Sequence, residues 1–349
     1  MQRAKSIRII LVYIMVMICV FQTACSTIPK EGETEKMVSF SNPIAKTGND
    51  PWMIFHEGTY YYCYSSDGGI RVSSVKNIFE IGDKDGKMVW RAPENTLYSK
   101  ELWAPELHYI DGEWYIYVAA DDGNNENHRM YVLKGTTQNP TDKFEFVGKI
   151  SDKTDKWAID GTVMQYDGKL YFIWSGWEGN ENIKQNLYIA EMSDPCTISS
   201  ERVRISTPEL DWELNGGNPK INEGPAAIAH NGVMHIAYSA SGSWCDDYCI
   251  GILTLKGNNP LEAANWEKSD KPILSKGEGG YGPGHCSFTV SPDGKQTWIV
   301  YHANEEAGSG WGGRSARTQQ VTWDKDNYPV VGEPAKPGEE LEIPLNESK

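Results

Sequence analysis

Five short stretches of the chain carry residues that could do chemistry together. They are Asn49-Asp50-Pro51-Trp52, Trp103-Ala104-Pro105-Glu106, Ile159-Asp160-Gly161-Thr162, Asn222-Glu223-Gly224-Pro225 and Gly284-His285-Cys286-Ser287. Four hold a carboxylate and the fifth an imidazole. Carboxylates crowded into one place cannot all stay ionised cheaply, so their pKa values are driven apart. One acid kept protonated beside one kept ionised is what cleavage of a glycosidic bond requires. The acid protonates the leaving oxygen, and in an inverting enzyme the base activates water on the opposite face, the two carboxyls roughly 6.5–9.5 Å apart. The competing use of such a cluster is a metal site, since hard cations take carboxylate oxygens. No Asp-x-Asp-x-Asp-Gly loop is present, which weighs against a dedicated calcium cage.

The elements that must position these residues are legible just downstream of each one. Six to nine residues on comes a turn pair: Glu57-Gly58, Asp111-Gly112, Asp167-Gly168, Asn231-Gly232 or Asp293-Gly294. Each pair leads into a run rich in aromatic and β-branched residues, so each unit reads strand, tight turn, strand. The turn glycines recur at intervals of about 60 residues, with no long helical period between them, which predicts an all-β, five-bladed β-propeller. A β-sandwich with coincidental spacing is the alternative. In a propeller the innermost strands run along the central axis, so their starts converge at one mouth of the channel. Ordinary end-charges have no reason to recur at the same point of every blade.

Composition bounds the partners. The formal net charge of −15 argues against nucleic acid. The 13 Trp and 18 Tyr suit a protein that stacks sugars on its rings, or equally an acidic globular protein with aromatic-rich strands. At the N-terminus, Arg3, Lys5 and Arg8 precede the apolar run Ile9 to Phe21, which is short for a membrane span and reads as a signal peptide. It ends in Thr23-Ala24-Cys25-Ser26, similar to a bacterial lipobox in which Cys25 is lipidated, although Gln22 departs from the usual aliphatic residue. Ordinary cleavage or a retained anchor is the alternative. The expected organisation is a signal peptide over 1–25, a tether over 26–38, a catalytic propeller over 39–325, and a closing strand with a polar tail over 326–349. Cys245 and Cys249 are placed either to bridge or to serve as small buried hydrophobes.

The same five motifs, taken with Gly282-Pro283-Gly284-His285, resemble glycoside hydrolase family 43 over roughly Asn42 to Trp323. That resemblance implies a five-bladed propeller in which Asp50 is the general base, Glu223 the general acid and Asp160 the carboxylate that orients the acid and raises its pKa. It implies an axial His285 beside a bound ion or water, so a structural calcium in the channel is expected to be possible while the chemistry needs no cofactor. It places Arg314 and Arg317 where an arginine contacts the sugar. The expected activity is inverting release of terminal α-L-arabinofuranose from arabinan or arabinoxylan-type plant polysaccharide by an exported, lipid-anchored protein. A β-xylosidase and a catalytically silent glycan-binding lipoprotein are the alternatives. Trp103 is read as a sugar-stacking ring or a packing one, and Glu106 as a sugar acceptor or a channel-mouth charge. The loop Trp311-Gly312-Gly313 frames the pocket or is ordinary surface. His56, His108, His128, His230, His235 and His302 are expected at the surface or as satisfied core residues.

Overall fold

In the computed structural model, residues 36–83 and 85–346 are described. The signal segment, Cys25 and the tether as far as residue 35 lie outside the described residues. The turn pairs predicted from sequence all sit in tight hairpins: Gly58, Gly112, Gly168, Gly232 and Gly294 each take positive φ. They join the first and second strands of five successive antiparallel units.

Blade 1 comprises Trp52–His56, Thr59–Ser66, Gly69–Val75 and Lys87–Arg91. Blade 2 comprises Lys100–Ile110, Glu113–Asp121, Arg129–Gly135 and Phe144–Ile150. Blade 3 is Ala158–Tyr166, Lys169–Gly176 and Lys184–Asp194, edged by Thr197–Ile198 and Val203–Ser206. Blade 4 is Lys220–His230, Val233–Ala240, Cys249–Leu255 and Trp266–Lys268. Blade 5 is Tyr281–Val290, Thr297–Asn304, Ser315–Trp323 and Pro329–Val330. Blades 3 and 4 also touch edge to edge through a short parallel ladder, Lys184 with Lys220 and Gln185 with Ile221.

Strands of this kind are apolar on both faces because each blade packs between two others. The core accordingly divides into five clusters, one at each interface between neighbouring blades. The cluster of Ile44, Met53, Tyr60 and Tyr62 with Trp298, Val300 and Ala316 joins the first blade to the last, so the ring is complete. Closure is reinforced in the backbone. Asn42 donates to the Thr318 carbonyl and accepts from its N–H, each at 2.9 Å. Met37–Phe40 pairs antiparallel with Leu341–Pro344. The strands Pro329–Val330 and Leu341–Pro344 fall within 326–349, and Met37–Phe40 straddles residue 39.

The inner strands share a feature that sequence does not announce. In each blade one residue near the start is in the left-handed region: Asp50 (φ 49°), Ala104 (φ 42°), Asp160 (φ 54°), Gly224 (φ 54°) and His285 (φ 47°). In blades 2 to 5 the ladder to the second strand slips at this point. A bulge turns the following side chains relative to the pleat, and a non-glycine residue held at positive φ costs of order 1–3 kcal/mol. The left-handed position recurs in all five blades, and in four of them a non-glycine residue bears its cost.

Candidate active site

Blades 1 and 5 form one wall of the axial pocket. The Asp50 carboxylate oxygen Oδ1 lies 3.3 Å from a terminal guanidinium nitrogen of Arg314, 3.4 Å from His285 Nδ1 and 3.5 Å from His302 Nδ1. The Asp50 N–H donates to His302 Nδ1 at 3.1 Å, so that nitrogen is unprotonated and its proton sits on Nε2. Burial would raise the Asp50 carboxyl; the fields of His285, Arg314 and His302 outweigh it and hold the group below the usual carboxylate range. Burial pushes His285 down and His302 to about 3. At neutral pH, then, the standing cation beside Asp50 is Arg314. The seam between these blades is pinned by Ser287, whose hydroxyl donates to the Pro51 carbonyl at 2.9 Å and accepts from the Met53 N–H at 3.0 Å.

Blades 3 and 4 form the opposite wall, and here the carboxyls meet few donors. Asp160 Oδ2 accepts the Gly224 N–H at 3.0 Å. Glu223 Oε1 accepts the Tyr248 hydroxyl at 2.8 Å. Both side chains are buried. Burial, with the charges of Glu223 and Asp50, pushes Asp160 well up. Burial also raises Glu223 to about 7, the Tyr248 hydrogen bond opposing and the Asp50 charge adding. The pair thus holds a proton at neutral pH, while Asp50 across the axis holds none.

Glycine is required at two points of this wall. Gly224 takes left-handed backbone against the His285 ring, and a Cβ at Gly284 would stand 2.0 Å from the Tyr248 ring. Tyr248 lies over Gly284 and is stacked on His302, ring centres 5.7 Å apart at 11°. One packed pair of rings therefore ties the hydroxyl on Glu223 to the imidazole under Asp50.

Blade 2 contributes a different pair. Glu106 is buried, with His108 Nε2 2.8 Å from Oε2. Burial raises Glu106 well above its usual value, the Thr162 hydroxyl opposing and the Asp160 charge adding, and burial lowers His108 to about 3. The contact is a carboxylic acid on a neutral imidazole, not a channel-mouth charge. Trp103 is half-buried, with one face on His128 at 4.0 Å and its N–H donated to Glu101 Oε2 at 3.1 Å. The adjacent Ala104 and Pro105, with Asn49 and Asp50, line a cavity of about 670 Å³ that runs outward over blade 1 past Tyr64 and Ser66. This is within the usual size range of ligand pockets.

The structure therefore brings Asp50, Asp160, Glu223, His285 and Arg314 together. It does not bring Arg317 to them. That guanidinium is 1 % exposed and is taken up by the Gly279 carbonyl and by Ser315 Oγ at 3.2 Å. Two residues separate the two arginines, and Arg317 falls inside the strand Ser315–Trp323 while Arg314 precedes it. Sequence makes His302 and His108 bystanders, and the structure does not. His302 is reachable by counting outward from the Asp293-Gly294 turn, which sets it opposite Gly284. Tyr248 carries no such local signal. Cys245 and Cys249 are both free.

Among the described residues no three His, Cys, Asp or Glu side chains are grouped to hold a metal ion. His285 offers a nitrogen, where calcium takes oxygen ligands.

A family model described as Glycosyl hydrolases family 43 matches residues 40–329. An extracellular exo-α-(1→5)-L-arabinofuranosidase of Streptomyces avermitilis is 36% identical over 319 residues, 86% of this chain and 65% of that protein. A Streptomyces chartreusis protein of the same name is 32% identical over 76% of this chain and 83% of its own length. The crystal structure of an α-L-arabinofuranosidase from Lactobacillus brevis superposes with a TM-score of 0.80 at 31% identity, covering 86% of this chain and 98% of that one. The chain thus spans just under two thirds of the Streptomyces avermitilis protein.

Proposed function

The chain belongs to glycosyl hydrolases family 43, and on that footing we propose that it is an inverting, exo-acting α-L-arabinofuranosidase. The observation that carries the proposal is the opposition across the axis. Asp50 is held ionised beside Arg314, and Glu223 is raised to about 7 with the Asp50 charge adding to its burial, each at the start of an inner strand. Ionised Asp50 takes a proton from water as that water attacks the anomeric carbon. Protonated Glu223 gives its proton to the leaving oxygen from the other side. Asp160, accepting the Gly224 amide next to Glu223, orients the acid, and the pair holds a proton between them. Arg314 keeps the base ionised until it takes the proton from water. Two carboxyls suffice for this chemistry, and no cofactor enters it.

The choice of arabinofuranose over xylose rests on the relatives at 30% identity or more, which are named as arabinofuranosidases. Their substrates suggest plant arabinan or arabinoxylan side chains for this chain too. The two Streptomyces relatives are named extracellular, which supports export, and the sequence around Cys25 supports a lipid tether there.

Nitrophenol release from the α-L-arabinofuranoside should far exceed that from the β-D-xyloside, and NMR of the first-formed sugar should show the inverted anomer. Faster xyloside cleavage would move the assignment to β-xylosidase. Binding of arabinan with cleavage of neither would make the protein a lectin-like binder. For the tether, Cys25→Ala should move the protein from the membrane fraction to the soluble one, and unchanged fractionation and mass would remove the lipoprotein reading.

A further inference from the structure

Trp311 is 59 % exposed, and among the described residues no other tryptophan is so open. Its N–H is spent on Ser243 Oγ at 3.2 Å, and that of neighbouring Trp244 on the Gly216 carbonyl at 2.8 Å. The two rings meet edge to face, centres 6.1 Å apart at 88°. What remains to solvent is apolar ring surface on a built support. Asp246 accepts the Gly308 N–H at 2.8 Å and 3.1 Å and, through its carbonyl, the Gly282 N–H at 2.9 Å. Gly308 and Gly310 take left-handed backbone that lets the loop double back.

This ledge is tied to both catalytic carboxyls. The Trp311 carbonyl accepts from Arg314 Nε at 3.3 Å, and Arg314 holds Asp50. Trp244 is four residues from Tyr248, which holds Glu223. We propose that the Trp244–Trp311 ledge binds the sugar unit on the leaving side of the scissile bond. The inference rests on the glycosidase reading. The leaving oxygen must lie at Glu223, which belongs to blade 4, and water must approach from Asp50 on blade 1. The departing chain therefore leaves on the blade 4 side, where the loop before Cys249–Leu255 carries Trp244 with Trp311 against it. A furanose or pyranose ring offers a C–H face to an indole and its hydroxyls to water, which suits a ring surface whose own N–H groups are already satisfied.

The test compares two substrates with the same departing arabinose: arabinotriose, which has sugar on the leaving side, and methyl α-L-arabinofuranoside, which has none. In Trp311→Ala the ratio of kcat/KM for arabinotriose to that for the methyl glycoside should fall about tenfold. Trp311→Tyr should restore most of it. An equal fall on both substrates would mean that Trp311 acts only by supporting Arg314, and an unchanged ratio would mean that no sugar sits there; either overturns the proposal. If the wild type cleaves neither arabinoside, the arabinose assignment fails, and the ledge is judged on the same ratio for xylobiose and methyl β-D-xyloside. Cleavage of none of the four overturns both readings.

Discussion

Asp50 and Glu223 occupy corresponding places on blades 1 and 4, Glu223 buried and Asp50 nearly so where an inner strand begins, yet they favour opposite protonation states. Burial raises both. The difference lies in what each blade's neighbours supply. Around Asp50 the last blade brings a guanidinium and two imidazoles within 3.5 Å. Around Glu223 there is one phenol hydroxyl. A third carboxylate shows the other limit. Glu213, ten residues before Glu223 and fully buried, accepts from the Glu209 and Leu210 amides, Asn222 Nδ2, the Tyr238 hydroxyl and Lys268 Nζ. With so many donors it is a structural anchor. Burial opens the possibility of an acid; the count and charge of donors decide whether it is one.

The contrast can be broken most violently at the base. Asp50→Asn should cost at least about a thousandfold on every substrate, since water must be activated whatever leaves. Glu223→Gln should cost as much on natural arabinosides and far less on a dinitrophenyl arabinoside, whose leaving group departs without a proton. Steady-state kinetics on both substrate types measures the split, and equal losses in both variants would undo the assignment of acid and base.

A middle-sized effect belongs to Arg314. In Arg314→Gln the standing cation beside Asp50 is gone while its burial stays, so the base's pKa rises by about 1 unit or more. Activity is lost as pH falls through that pKa, so the acidic limb of kcat/KM should move to higher pH; the same guanidinium also lowers Glu223, so the basic limb should move up as well, by less. An acidic limb that does not move would show that the imidazoles alone hold Asp50.

The smallest effect sharpens the comparison from the other wall. The Tyr248 hydroxyl favours ionised Glu223. Tyr248→Phe removes it, so the acid stays protonated to higher pH and the basic limb should move up by a fraction of a unit, roughly what one neutral hydrogen bond is worth. A downward shift would mean that the hydroxyl holds the acid form.

Much of this is legible in sequence because it is local. Asp50, Asp160, Glu223 and His285 each stand a fixed distance before a turn that any reader of sequence can find, and the blades follow from the same five turns. The groups that set their ionisation are not local. His302 reaches Asp50 from the second strand of another blade, 252 residues away. Tyr248 reaches Glu223 from a loop with no recurring pattern. Arg314 and Arg317 look alike in sequence, and only the start of the strand at Ser315 decides that one faces the axis and the other the blade interior. Glu106 is visible as a carboxylate, but its burial against His108 depends on Trp52, whose ring packs on that imidazole from the neighbouring blade.

The lacing of the ring bears on when the enzyme comes into being. Residues leading to Asp50 are held by the last blade: Ile44 N–H donates to Ala316 O, Gly48 N–H to Arg314 O, and Asn42 clasps Thr318. During synthesis the base is made among the first folded residues, and its guanidinium partner follows 264 positions later. A nascent or C-terminally shortened chain carries Asp50 without Arg314, His285 or His302. The wall around Asp50 is therefore complete only once Ser315–Trp323 has been made and has packed on residues 42–50.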